Sequence, residues 1–344
     1  MKNTPRLGER LDGFLGAHAP ADLARVLGSI AKAAPPLVNR IRRGRLADLD
    51  PAGGPAHYGV ARKAPDIVAE ETFVNGLKGS GVRAVLSEKR DDAAPIDPEG
   101  TLLVAINPLD GSSNIDANIS FGTIFSVLDA PASELASDHF LQPGVRQRAA
   151  GVLVYGPHAS LVLTTGAGVH IATLDPESNA FRVSEVDVRI PPGVSEFAIN
   201  GANARHWPPP VRAYVEDCLE GVEGPRGRNF NMRWVASTAA ELYRILACGG
   251  VYLYPEDSRE GHAHGRLSLL TEANPIAFLV EQAGGAAIDG FDRILEIAPT
   301  SIHVRTPLIF GSKDKVERIA RYYSEGSVST DSSPLFGRRG LLRQ

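Results

Sequence analysis

At 344 residues, with 43% hydrophobic and 22% charged side chains, the chain has the composition of a soluble globular protein, long enough for one compact unit or two α/β halves. A formal net charge of −4 offers no basic footprint for nucleic acid, and two cysteines, Cys218 and Cys248, are too few for a disulfide framework. No run approaches the roughly 18 apolar residues of a membrane span, and the N-terminus carries no apolar signal core, so a cytoplasmic protein is expected.

Leu7, Leu11, Phe14, Leu15, Leu23, Val26, Leu27 and Ile30 recur at helical spacing. Pro35–Pro36 is expected to interrupt that run before Leu37, Val38 and Ile41. A turn-rich loop, 51–55, precedes a predicted helix over 66–77. Short apolar runs at 84–86, 102–106, 119–128 and 150–154 predict strands, followed by a hairpin-like pair at 160–165 and 168–173. The second half predicts strands at 196–199, 249–254 and 307–311, with helices near 208–219, 237–247, 274–282 and 313–324. Strands and helices are thus expected to alternate in a layered α/β architecture, and the aperiodic polar stretch 325–344 is expected to be a disordered tail.

The most informative stretch is Asn107-Pro-Leu-Asp-Gly-Ser-Ser-Asn-Ile-Asp116. It follows an apolar strand, so its polar residues should emerge at a carboxyl end, where open sheets place ligands. Pro108 and Gly111 suit a sharp turn that aims the Asp110 carboxylate and the Leu109 carbonyl at one point. Gly111, Ser112 and Ser113 offer backbone N–H groups and two hydroxyls suited to a phosphate, beside the hard oxygen ligands that Mg²⁺ or Mn²⁺ requires. A hydrophilic turn that merely caps a strand is the structural alternative for the tetrapeptide alone.

Residues 108–116 resemble the signature of class I fructose-1,6-bisphosphatases and, more distantly, the metal loop of the inositol-monophosphatase superfamily. Further matches follow in the family's order: 141–144, 155–157, 249–255, 272–275, 281–285, 299–303 and 307–312. The resemblance implies a five-layer α-β-α-β-α sandwich, an N-terminal α+β half at 1–190 with the metal loop, and a C-terminal α/β half at 191–324 with a sugar-phosphate pocket. It implies a homotetramer that hydrolyses fructose 1,6-bisphosphate to fructose 6-phosphate and phosphate by metal-activated water, in gluconeogenesis. Carried over by residue, it assigns Glu88, Asn107, the Leu109 carbonyl, Asp110 and Glu272 to Mg²⁺ or Mn²⁺. Asp66, Glu88 and Asp110 take catalytic roles, and Asp110, Gly111, Ser112, Ser113, Asn200, Arg233, Tyr254 and Arg266 hold substrate, Arg233 often across a subunit interface.

Each residue also has a plainer reading: Glu88 as a loop charge, Glu272 as a helix-dipole partner, Arg233 stacked on Trp234, and Tyr254 as core. The chain also departs from the family pattern. Asn107 stands where the pattern has a metal-bridging Asp, and Lys89 where a second Glu follows Glu88. Asn203 replaces an aromatic, Arg266 replaces Lys, and Ser268 stands where an Arg often contacts the 1-phosphate. Glu88, Asp110 and Glu272 against Lys89 leave a formal charge of −2, against −5 for the usual set, and an Asn carbonyl holds a metal more loosely than a carboxylate. An active fructose-1,6-bisphosphatase is the leading expectation. A non-catalytic sugar-phosphate-binding homologue and a phosphatase for another sugar bisphosphate, such as sedoheptulose 1,7-bisphosphate, are the alternatives.

Overall fold

The structure, a computed structural model, describes residues 7–46, 54–57, 60–62 and 64–325; the tail expected at 325–344 lies almost wholly outside them. The N-terminal apolar run forms two helices, α1 (Leu11–His18) and α2 (Ala21–Arg42), broken at Ala19–Pro20. Contrary to the expected interruption, α2 runs through Pro35 and Pro36. An interior proline costs about 3 kcal/mol, whereas each fully buried aliphatic side chain contributes about 1.5–3 kcal/mol. Val26, Leu27, Ile30, Leu37 and Val38 are all buried on this helix, so its apolar face outweighs the lost backbone bonds.

A short hairpin, β1 (Gly54–His57) and β2 (Val60–Arg62), leads to α3 (Ala64–Gly76). Eight strands then make the first sheet: β3 (Val82–Ser87), β4 (Ala94–Pro95), β5 (Leu102–Asp110), β6 (Phe121–Asp129), β7 (Ala149–Tyr155), β8 (Ala159–Thr164), β9 (His170–Asp175) and β10 (Ala180–Glu185). Their order is β10-β9-β8-β7-β6-β5-β3-β4, and from β5 onward each strand pairs antiparallel with the next. Strict alternation of helix and strand therefore fails in this half. Six consecutive strands form a meander because short connections suffice between antiparallel neighbours.

The second half contains β11 (Glu196–Ala198), α4 (Pro209–Leu219), β12 (Asn231–Met232), α5 (Thr238–Cys248) and β13 (Val251–Tyr254). There follow β14 (Leu267–Ser268), a π-helical turn over Leu269–Ala273, and α6 (Asn274–Gln282). The chain closes with β15 (Ala286–Ile288), β16 (Arg305–Thr306), β17 (Leu308–Gly311) and α7 (Lys313–Glu325). The second sheet has the order β12-β11-β13-β17-β15.

Period-two burial on both faces sets the layers. On β7, Ala149, Leu153 and Tyr155 join the core under α1–α3, while Ala150, Val152 and Val154 face α5 and α6. On β13, Tyr252 faces that same middle layer, whereas Val251 and Leu253 pack under α4 and α7. The result is the expected five-layer α-β-α-β-α sandwich, with α5 and α6 enclosed between the sheets. No helix among the described residues is long and apolar enough to cross a membrane.

Candidate active site

The sequence pattern ended a strand at Ile106; the structure carries β5 through Asn107 to Asp110. Asn107 pairs with Ile124 and Asp110 with Gly122, so Pro108 and Leu109 lie opposite Thr123 alone, which makes a β-bulge. Pro108 has no N–H to give the ladder, and its carbonyl accepts the Thr123 hydroxyl at 2.6 Å. Gly111 then turns the chain with φ +75° into a short 3₁₀ turn over Ser112–Asn114. A Cβ at Gly111 would lie 2.6 Å from Ser237 Cβ, so position 111 requires glycine for its backbone and for its packing.

That neighbour is the N-cap of α5. Ser237 Oγ donates to Asp110 Oδ2 at 2.6 Å, and the Ala239 N–H donates to the same oxygen at 2.9 Å. A carboxylate on a helix N-terminus is favoured by two oriented donors and by the dipole. Burial pushes the Asp110 pKa up; these two bonds oppose that, and the negative charge of Glu88 adds to it. Asn114 ties the same loop down by donating to the carbonyls of Val235 and Ser120.

Glu272 arrives from the opposite side, on the π-helical turn ahead of Pro275. Its Oε2 accepts the Ser268 N–H at 2.6 Å and its Oε1 accepts Asn107 Nδ2 at 3.0 Å. Burial, then Glu88 and Asp110, push its pKa up to about 8. Glu88 follows β3, and its Oε2 stands 2.5 Å from the Lys89 ammonium, with Arg305 Nη2 3.9 Å from Oε1. Burial alone would lower the Lys89 pKa, but Glu88, then Asp66 and Glu272, attract the ammonium and hold the pKa above the ordinary lysine value. Asp66, buried in the first turn of α3, thus belongs to the same electrostatic neighbourhood.

Among the described residues no three His, Cys, Asp or Glu side chains converge closely enough to hold an ion by themselves. The oxygens that fit a hard divalent ion are mixed. Asn107 Oδ1 is buried and accepts no hydrogen bond, and both bonds to Asp110 go to Oδ2. A buried unbonded carbonyl oxygen beside a carboxylate is a suitable pair for Mg²⁺ or Mn²⁺, with Glu272 opposite.

The other expected residues divide into two groups. Asn200, Tyr254 and Arg266 line one small cavity together with Asn203 and Trp234. Trp234 stacks on Tyr252 and Tyr254, which fixes the cavity wall. Arg233 lies outside that lining, half-exposed, with Glu196 at 3.4 Å. Ser112 is half-buried and Ser113 exposed on the turn beyond Gly111. Sequence reasoning missed Ser237, Ala239, Thr123 and Arg305. Ser237 at the head of a predicted helix was the available signal, but its contact with Asp110 spans 127 positions and appears only in the fold. Ser268 is a correction of another kind. It is buried, and its Oγ caps the π-helical turn by accepting the Thr271 N–H, so an arginine there would forfeit that cap and have to leave a buried position to reach a phosphate.

A two-sheet sandwich whose buried Glu272 bonds Asn107, with the buried Asp110 three positions on where the strand runs into a Gly-Ser-Ser turn, suits the metal-dependent phosphatase class. Comparison with known proteins places it further. The family descriptions "Fructose-1-6-bisphosphatase, N-terminal domain" and "Fructose-1-6-bisphosphatase, C-terminal domain" match residues 13–185 and 190–324. The chain is 50% identical over 324 residues to the class 1 fructose-1,6-bisphosphatase of Paracoccus denitrificans, covering 94% of this chain and 96% of that one. It is 46% identical over 346 residues to the class 1 fructose-1,6-bisphosphatase of Methylorubrum extorquens, covering 99% of each. The crystal structure of Leishmania major fructose-1,6-bisphosphatase in holo form superposes with a TM-score of 0.86 at 29% identity, covering 93% of this chain and 100% of that one. The chain belongs to the class 1 fructose-1,6-bisphosphatase family.

Proposed function

We propose that this protein hydrolyses fructose 1,6-bisphosphate to fructose 6-phosphate and phosphate. The observation that carries the reading within the site is the hydrogen bond that ties Asn107 to the buried Glu272, while the buried Asp110, three positions on in the same strand, is held by the N-terminus of α5. The family membership supports a divalent ion, and Mg²⁺, with Mn²⁺ as substitute, is the ion that these hard oxygen donors suit. Asp110 and Glu272, with the carbonyl oxygens of Asn107 and Leu109, would hold it, and Glu88 stands beside them paired with Lys89. When bound, it supplies charge neutralisation at the phosphate and activation of a water.

The remaining work falls to the chain itself. Gly111, Ser112 and Ser113 hold the reacting phosphate through N–H and hydroxyl donors. Asn200, Tyr254 and Arg266 orient the sugar and its distal phosphate in the small cavity. On this reading Asp66 and Glu88 take a proton from the attacking water as its oxygen bonds to phosphorus, the bond from phosphorus to the C1 oxygen breaks, and the leaving alkoxide takes up a proton in turn. Asp110 also meets the substrate, oriented by Ser237 and Ala239.

The half-exposed Arg233 suits completion of a neighbouring copy's pocket, and we read the assembly as a homotetramer in the cytoplasm, serving gluconeogenesis. The division into halves at 1–190 and 191–324 is supported by the two separate sheets. Phosphate release from fructose 1,6-bisphosphate, with and without Mg²⁺ or Mn²⁺, tests the reading against sedoheptulose 1,7-bisphosphate. Metal-dependent release with fructose 1,6-bisphosphate preferred is expected; no release from any sugar bisphosphate would leave a sugar-phosphate-binding homologue.

A further inference from the structure

We propose that the Lys89 ammonium is the resident cation on the Glu88 side of the site, so that each chain takes one divalent ion, on the Asp110–Asn107–Glu272 side. The inference rests on the phosphatase reading and specifies how the charge of that site is arranged. It begins with Glu88, whose oxygens each lie beside a cation: Oε2 by Lys89 Nζ at 2.5 Å, an ion contact outside hydrogen-bond geometry, and Oε1 by Arg305 Nη2 at 3.9 Å. The Glu88 and Lys89 side chains are only 15% and 24% exposed, so the pair is shielded from solvent and screened little by salt. A divalent ion at Glu88 would stand against the ammonium at short range and would have to displace it.

Oxygen accounting on the other side leads to the same count. Two neighbouring octahedral ions need carboxylates that can bridge them. Asn107 lacks the second ligating oxygen with which a carboxylate bridges two ions: its Nδ2 is a donor, bonded to Glu272, and only Oδ1 can ligate. Asp110 spends Oδ2 on Ser237 and Ala239, which leaves Oδ1 as its outward donor. Glu272 already accepts one bond on each oxygen, from Asn107 and from Ser268. The remaining donors suffice for one ion completed by water and phosphate oxygens. Lys89 then supplies, from its place on Glu88, the positive charge that a second ion would bring to the bound phosphate, without a bridging ligand.

The test is the number of Mn²⁺ ions bound per chain, counted by equilibrium dialysis with electron paramagnetic resonance of the free ion, in saturating inorganic phosphate. The parent, Lys89→Met and the double variant Lys89→Glu/Asn107→Asp are compared on the full chain. One ion is expected for the parent and for Lys89→Met, and two for the double variant. Lys89→Met should also weaken inorganic phosphate binding at saturating Mn²⁺ by roughly tenfold. Two ions on the parent would overturn the proposal, a result that needs no variant to fold, and so would a double variant that folds and still binds one. Phosphate release by the parent is read separately: release with two ions sinks the inference alone, and one ion without release sinks the phosphatase reading alone.

Discussion

Asn107 donates a 3.0 Å hydrogen bond across the site to Glu272, joining the end of β5 to the π-helical turn 165 positions later. Replacing it with Asp would remove the donor and set a second carboxylate against a glutamate that burial already pushes towards neutrality. The metal-free Asn107→Asp protein should therefore lose about 1–3 kcal/mol of stability, and Mg²⁺ should restore most of it. Thermal melts in chelator and in excess Mg²⁺ decide this, and equal losses under both conditions would count against Asn107 as a metal neighbour.

Asp110→Asn should abolish metal-dependent phosphate release, since Asp110 is the carboxylate of the bulged loop. Ser237→Ala removes the 2.6 Å bond that orients it and should cost roughly 10–100-fold in metal affinity or activity while the protein stays folded. A Ser237→Ala enzyme with unchanged Mg²⁺ dependence would show that Ala239 and the helix terminus hold Asp110 without it.

The approach of α5 to the first sheet depends on Gly122, the ladder partner of Asp110. A Cβ there would lie 2.3 Å from the Leu153 carbonyl oxygen and 2.5 Å from Ala239 Cβ. Gly122→Ala should destabilise by about 1–3 kcal/mol and loosen the Ala239 bond to Asp110, so that urea midpoint and Mg²⁺ affinity fall together. A change in the first without the second would separate sheet packing from site geometry.

Glu272 gives a pH dependence with a definite sign. Its folded pKa, pushed up to about 8, exceeds the ordinary value of 4.5, so between these limits the folded state holds more protons than the unfolded one. The contribution of Glu272 to the stability of the metal-free protein thus falls as pH rises from about 4.5 to about 8 and is level outside that window. The melting temperature of the chelated parent, relative to Glu272→Gln, should drop by roughly a few degrees across the window. A constant difference would mean that Glu272 is ionised throughout.

Ser268→Arg would reinstate the family's cation in sequence but not in space. Ser268 is buried and caps the turn that carries Glu272, so the variant should lose stability by about 1–3 kcal/mol and gain no substrate affinity. A lower KM with an unchanged melting temperature would show that the turn can open to admit the side chain.

The strand before residue 107 and most second-half elements were legible in the sequence because short-range periodicity encodes them, and the five-layer class was legible only through the resemblance that the motif at 108–116 carries. Residues 107–116 carried the local chemistry that suits a phosphate and a hard metal ion, and the resemblance gave Asp110, Gly111 and Ser112 their expected roles there. Three features were not legible. Helix α2 persists through Pro35 and Pro36 because burial against the first sheet outweighs a local penalty, and a local pattern contains only the penalty. The polar end of β5 reads as a loop, yet it remains in the sheet as a bulge because Gly122 and Thr123 on the neighbouring strand accommodate it. The charge arrangement was legible only as a count. Whether Lys89 repels an ion, meets the substrate or pairs with Glu88 depends on where the strand end directs a flexible side chain, and the tertiary structure sets the ammonium on Glu88. Sequence thus determined which groups are present, and the packing of two distant halves decided which oxygens remain free.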